Sequence, residues 1–520
     1  MPPSRVVAAA AAGSVAAFLV LRRLLQSLQA AAEAAPFVLL NVRVPASLLP
    51  DALAPHADAE GLVLLHVRME KGVITDVGQE VPPTPHKLDM GGAVVLPCFA
   101  DAHTHLVKTH IAPRLRNPTG SINDALCCEV DDHPNWKTPT DVARRMDFAL
   151  RCAYHHGTRA VRTHLDGTNC IDDEALVACV FAAYAEARSA WSARGLELCG
   201  VANLYLPLWL GDGAAAFADR AAAQPGVALG AYCGNVSKTP TKDTRLAFDA
   251  IFRHAARVGR DVDLHIDETN EPKCCALLPL CDSLRDARAA GYTGHVVLGH
   301  ATSLALQSAE VRTRIVSALA GDPGGVTVVC NPFTNMCLQD RRGTNAMAGA
   351  PIAADVARTP HWRGLTAVQE LQAAGVAVAA ASDNVRDHWC ACGSDYDGLA
   401  VLRDAMAVGQ LDTAPTAGAW APLVCSAPAR ALGCGGGVIA PGEPADVILF
   451  PSARHMNELL SRPQSDRVVL RGGQPQQTAL PKYAELDDLV AKEVQRSGAG
   501  EVQRGATKNV YTENVVNKAS

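Results

Sequence analysis

Between residues 93 and 383 the chain repeats one phrase of hydrophobic and polar positions. A stretch with apolar residues at helical spacing leads to a glycine, then a short apolar run, then a polar residue. The stretch after Thr138 shows the helical half. Val142, Met146, Ala149 and Ala153 fall on one face, Thr138 stands as N-cap ahead of a proline in the first turn, and Gly157 ends it. "RAVRTHLD" follows as a strand. Leu246, Ala250, His254 and Val258 line a second helical face, closed by Gly259 and followed by "DVDLHIDE". The same phrasing gives "GHVVLGH", "GVTVVCNP" and "GVAVAAASDN". With "AVVLPCFADAHTH", "LELCGVANL" and "GVALGAYCG", eight strands are expected.

Short strands that read as continuous apolar runs and alternate with helices predict a parallel sheet covered on both faces. Eight such units fit a (β/α)8 TIM-type barrel, here over 93–433. An open doubly wound sheet is the alternative, but no glycine-rich phosphate loop follows the first strand. On either side lie β-rich pieces, "PFVLLNVRVP" and "LVLLHVRMEKGVITDVG" in 36–92, and "GVIAPGEPADVILFPS" and "DRVVLRGG" in 434–483. They are expected to pair into a small β-sandwich built from both ends of the chain. Residues 484–520 are polar and charged and read as a tail.

Residues 1–35 differ from the rest. Val6–Leu21 is an unbroken apolar or small-residue run followed by Arg22 and Arg23, in an acid-poor, alanine-rich setting. This predicts a targeting or membrane-anchor segment through 6–21, with the body of the chain cytoplasmic or organellar. The composition of the full chain, 48% hydrophobic and 19% charged, is that of a globular protein with a large core. A formal net charge of −6 gives no reason to expect a nucleic-acid partner. The 17 cysteines show no C-x-x-C spacing, so they read as small buried residues of a reducing compartment rather than a disulfide framework or zinc ribbon.

Chemistry in a parallel barrel sits at the C-terminal ends of the strands. The polar residues there are His103 and His105 after the first strand, His265 and Glu268 after the fifth, His300 after the sixth and Asp383 after the eighth. His103 and His105 are two apart, so in a strand both imidazoles face the same side. Neutral imidazoles converging on one point suit a divalent transition metal.

The segments "FADAHTH", "HIDE", "GHATS", "NPFTNMCLQDRRG" and "SDNVRDHW", followed by "VIAPGEPADVILF", resemble the amidohydrolase superfamily, and within it the cytosine deaminase branch; the likeness covers roughly residues 60–475. The resemblance implies one divalent metal ion, zinc or iron, held by His103, His105, His265 and Asp383. It implies Glu268 as proton shuttle and His300 as partner of the attacking water, so that Glu268, His300 and Asp383 form the catalytic set. Two-metal branches of the superfamily carry a modified lysine at the end of the fourth strand; here no lysine occurs until Lys238, too far along.

The implied reaction is hydrolytic deamination of a cytosine-like aminated heterocycle, with ammonia released and a ring carbonyl left behind. The alternative is another amidohydrolase reaction on a cyclic amide or aminotriazine carbon–nitrogen bond. Two departures from the branch bear on substrate. Tyr205 stands near the position of a ring-binding glutamine, and Asn384 replaces a second aspartate after the metal ligand. Tyr205, Asn384 and Trp389 are the expected substrate contacts, with wall packing for the aromatics and a turn role for Asn384 as the alternatives. The expected partner is a small heterocyclic amine, and self-association into a homo-oligomer is expected as for other large barrels.

Overall fold

The computed structural model describes residues 21–33, 36–237, 239–340, 359–362 and 364–490. Eight parallel strands stand in chain order around a barrel: Phe99–Thr104, Thr158–His164, Glu197–Tyr205, Val227–Tyr232, Val262–Ile266, Val296–His300, Val326–Cys330 and Ala377–Ala380. All eight expected runs form barrel strands. The first run divides at Cys98, so that Val94–Pro97 joins a different sheet. The eighth and first strands meet through a parallel bridge between Thr104 and Asp383, and the Asp383 amide donates to the His103 carbonyl at 2.9 Å. That seam favours the barrel over the open sheet.

Both faces of the strands are buried because alternate residues serve different cores. Val296 and Leu298 pack outward with the helices, whereas Val297 points inward with Val329, Ala100, Ala102 and Ala379. Small residues suit the narrow interior, which the helix Ser426–Ala431 helps to fill with Ala427, Ala429 and Ala431.

The helix Pro139–His156 buries Val142, Met146, Ala149 and Ala153, as read from the sequence, and ends where Gly157 takes the left-handed conformation with φ +100°. The helix Lys242–Val258 forms, with Ala250 buried and Val258 packed on the core as expected, but its buried face is rotated away from Leu246. Leu246 is 42% exposed, and the buried stripe runs through Ala247, Ile251 and Ala255, flanked by Phe248 and Phe252. Two phenylalanines supply more apolar area than one leucine, so they set which side turns inward.

The β-rich pieces from both ends form one eight-stranded mixed sheet. Phe37–Pro45 pairs with Leu62–Glu70, which pairs with Val73–Gly78; Val94–Pro97 pairs with Val447–Phe450, which pairs with Val468–Arg471. Ile448 and Phe450 face the barrel, and Val447 and Leu449 face the other way. Residues 21–33 are helical and lay Leu28 and Ala32 on that outer face. This part of 1–35 is therefore joined to the fold by apolar packing. Except for Leu21, the apolar segment expected at 6–21 lies outside the described residues, among which no helix is long and apolar enough to cross a membrane.

The tail reading is corrected over its first turns. Tyr483–Leu486 and Asp487–Val490 are helical, Leu486 and Leu489 are buried, and Arg144 binds the Asp488 carboxylate at 2.6 and 2.8 Å. Two leucines among charged residues are enough to dock a short helix, a pattern too sparse to register as amphipathic. Residues 491–520 lie outside the described residues.

Candidate active site

The polar residues singled out at the strand ends come together at one rim of the barrel. His103 and His105 leave the first strand, His265 lies on the fifth, His300 ends the sixth, and Asp383 follows the eighth. Asp383 Oδ1 lies 3.3 Å from His105 Nε2 and 3.7 Å from His103 Nε2, and His265 Nε2 lies 3.3 Å from His105 Nε2. His103, His265 and His300 also offer ring nitrogens within reach of one another. Backbone geometry helps to aim the last two groups: His300 (φ +68°) and Asp383 (φ +55°) occupy the left-handed region, which non-glycine residues enter only when their surroundings hold them there. Gly299 gives the His103 ring its room, since a Cβ there would stand 2.7 Å from the imidazole.

This donor set fits a divalent cation. His103 Nε2 and both Asp383 oxygens are buried without a hydrogen-bond partner, an expensive arrangement for polar atoms unless something else satisfies them. Burial, neighbouring imidazoles and Lys108 push His103, His105 and His265 well below the ordinary histidine range, so all three are neutral and present lone pairs. Burial, together with the charge of Glu268, raises the Asp383 carboxyl well above its ordinary value; a bound cation would favour its ionised form.

The second layer was not legible in the sequence. Asp166 accepts from His105 Nδ1 at 2.9 and 3.0 Å, which turns Nε2 toward Asp383. His164 Nε2 lies 3.1 Å from His103 Nδ1 and is itself held by Asn203 at 3.0 Å. Asn335 lies 3.0 Å from His300 Nδ1. Lys108 is 4% exposed and sits between Asp166 at 3.1 Å and Glu129 at 3.5 Å. Burial works against its ammonium, but the two carboxylates hold it charged. The signal for His164 and Asp166 was present in "RTHLD", a histidine and an acid two apart at a strand end.

A cavity of about 480 Å³ opens over the cluster, lined by His105, His265, His300, Asp383 and Glu268. Glu268 Oε1 lies 3.5 Å from His300 Nδ1, and burial pushes its carboxyl up to about 7 against the opposing charge of Lys108. Tyr205, Asn384 and Trp389 line the same cavity. The Tyr205 ring leans on Tyr232 at 5.2 Å, and Asn384 Nδ2 donates to Asp387 at 2.9 Å. Trp389 donates to Glu129 at 3.3 Å and lies beneath the Lys108 ammonium at 4.5 Å.

Residues 160–480 match the amidohydrolase family. The chain is 39% identical over 464 residues to a pterin deaminase from Rhizobium rhizogenes (strain K84 / ATCC BAA-868), covering 88% of this chain and 98% of that one. Among solved structures, the fold is similar to 5-methylcytosine deaminase from Klebsiella pneumoniae liganded with phosphonocytosine (TM-score 0.68, 20% identity, 86% of this chain and 99% of that one). It is also similar to N-isopropylammelide isopropylaminohydrolase from Burkholderia multivorans ATCC 17616 (TM-score 0.63, 22% identity, 84% and 97%). With its barrel, its histidine–aspartate cluster and these relationships, the chain belongs to the amidohydrolase family and is a metal-dependent deaminase acting on a carbon–nitrogen bond.

Proposed function

We propose that the substrate is a pterin-type heterocycle, a fused ring whose pyrimidine half carries an amino group on an N=C–NH2 carbon. The observation that carries this is the 39% identity to a pterin deaminase over nearly the full length of both chains. It narrows the cytosine-like expectation to a fused-ring relative. The cavity supports the reading, because about 480 Å³ with two tyrosines and a tryptophan on its walls accommodates a planar bicycle.

The ligands of one ion, zinc or iron, are His103, His105, His265 and Asp383. When bound, the ion supplies the acidity that makes water a nucleophile near neutral pH. Glu268 takes the proton of the attacking water and delivers it to the ring nitrogen beside the amino-bearing carbon, then carries a proton to the departing amine. His300, pushed by burial down to about 3 and held by Asn335, is a neutral imidazole that orients the water. Asp383 Oδ2, 3.9 Å from His300 Nδ1, borders the same point. With the Asn384 amide nitrogen engaged by Asp387, its carbonyl is left as the acceptor for the ring. One water is consumed, one ammonia leaves, and a ring carbonyl replaces the amine.

The test is ammonia release from pterin, isocytosine, cytosine, 5-methylcytosine and an aminotriazine by the metal-loaded enzyme. The expected result is the highest kcat/KM for pterin. Turnover of cytosine or the triazine with none of pterin overturns the substrate assignment.

A further inference from the structure

Away from the histidine cluster, three cysteines from two segments meet. Cys337 belongs to the helix Pro332–Leu338, and Cys390 and Cys392 lie in the loop after the eighth strand. Their sulfurs are 3.3 Å (Cys337–Cys390), 3.8 Å (Cys390–Cys392) and 3.9 Å (Cys337–Cys392) apart. Zinc–sulfur bonds of about 2.3 Å at tetrahedral angles set sulfurs about 3.8 Å apart, so two of the three edges already match a thiolate face around a metal. A disulfide would need one pair drawn to about 2.05 Å, leaving the third thiol over. Cys390 is buried, Cys337 half-buried and Cys392 exposed, so the face is anchored within the protein and reachable from solvent.

We propose that Cys337, Cys390 and Cys392 form a second metal site, for a thiophilic divalent ion of the zinc class, with a fourth position open to water. Binding forms three metal–sulfur bonds and releases the three thiol protons to solvent, with no change of oxidation state. The site staples two segments that serve the active site. Asn335, on the same helix as Cys337, holds His300, and Asn384 and Trp389, in the same loop as Cys390, line the substrate cavity. Neither the catalytic ligands nor the proposed substrate contacts are part of it.

Cobalt distinguishes the two sites, because the histidine–aspartate cluster has no sulfur ligand and gives no thiolate-to-cobalt charge-transfer band. Full-length protein is purified under reductant, stripped with chelator, and titrated with Co²⁺ and separately with Zn²⁺. The expected result is a near-ultraviolet thiolate-to-cobalt band and one equivalent of zinc beyond that held by the histidine cluster. Cys392→Ser, at an exposed position that folding tolerates, should lose or strongly weaken both signals. The proposal is overturned if the wild-type protein shows no such band. It is equally overturned if the band survives replacement of all three cysteines, or if thiol counting of the reduced native protein finds a pair locked as a disulfide.

Discussion

Asp166 offers a test of how the histidine cluster is held. Replacing it with alanine removes the carboxylate at the back of His105, where the two contacts of 2.9 and 3.0 Å fix which ring nitrogen faces Asp383. Without it the ring can turn or take the tautomer that carries a proton on Nε2, and such a nitrogen cannot ligate. Removing a partner of this kind costs about 10–100-fold in metal affinity, or about 1.4–2.7 kcal/mol. A second effect falls on Lys108, which keeps Glu129 at 3.5 Å and the more distant charge of Asp387. Breaking a buried ion pair costs about 3–5 kcal/mol, and the remaining carboxylates put this case at the low end. The two effects separate experimentally. A competition titration against a chromophoric chelator reports metal affinity, and urea unfolding of the metal-free protein reports stability. Asp166→Asn, which keeps an acceptor for the ring N–H but not the charge, should recover part of the affinity and little of the stability. A folded Asp166→Ala variant that binds zinc as tightly as wild type would refute the reasoning.

Three further outcomes are expected. Glu268→Gln keeps size and reach but cannot carry a proton, so kcat should fall by about 10²–10⁴ with metal content near normal; wild-type turnover would remove Glu268 from the proton path. Leu28→Ala should cost about 2 kcal/mol or more in denaturant unfolding, because Leu28 is fully buried on the mixed sheet, and an unchanged midpoint would detach residues 21–33 from the fold. Burial alone would raise the Asp397 carboxyl, but the charge of Arg467 and its two hydrogen bonds at 2.7 Å hold it below the ordinary aspartate value. Its contribution is thus fully present above about pH 4 and lost as pH falls through the folded value. Asp397→Asn should flatten the fall of Tm below pH 4, measured against wild type by calorimetry.

The strands and the clustered histidines were legible for the same reason. Apolar runs bounded by glycine leave little choice of element, and a histidine at the end of such a run stands out against it. Lys108, Glu129 and Asn203 were not legible, because a polar residue outside a clear motif looks the same in sequence whether it faces water or a buried imidazole. The folding back of the helix Ile122–Trp136 over the end of the first strand brings Glu129 against Lys108. The register error at Leu246 has a simpler origin. Alanines weigh little in a hydrophobic pattern, yet Ala247 and Ala255 are buried to the core. Residues 484–490 were misread in the opposite sense, with two buried leucines outvoted by their charged neighbours.

The seam between the first and eighth strands gives the metal site a place in the order of folding. Asp383 is both the bridge partner of Thr104 and a carboxylate of the cluster, so closing the barrel and completing the proposed ligand set are one event. A nascent chain that has not yet reached residue 383 presents the imidazoles without the Asp383 carboxylate, and the entropic cost of joining such distant segments falls on this last contact. An ion held there as proposed would clasp the two ends of the sheet, and its tight binding would be reserved for chains whose barrel is already shut. It would thereby serve as a mark of completed folding as well as a reagent.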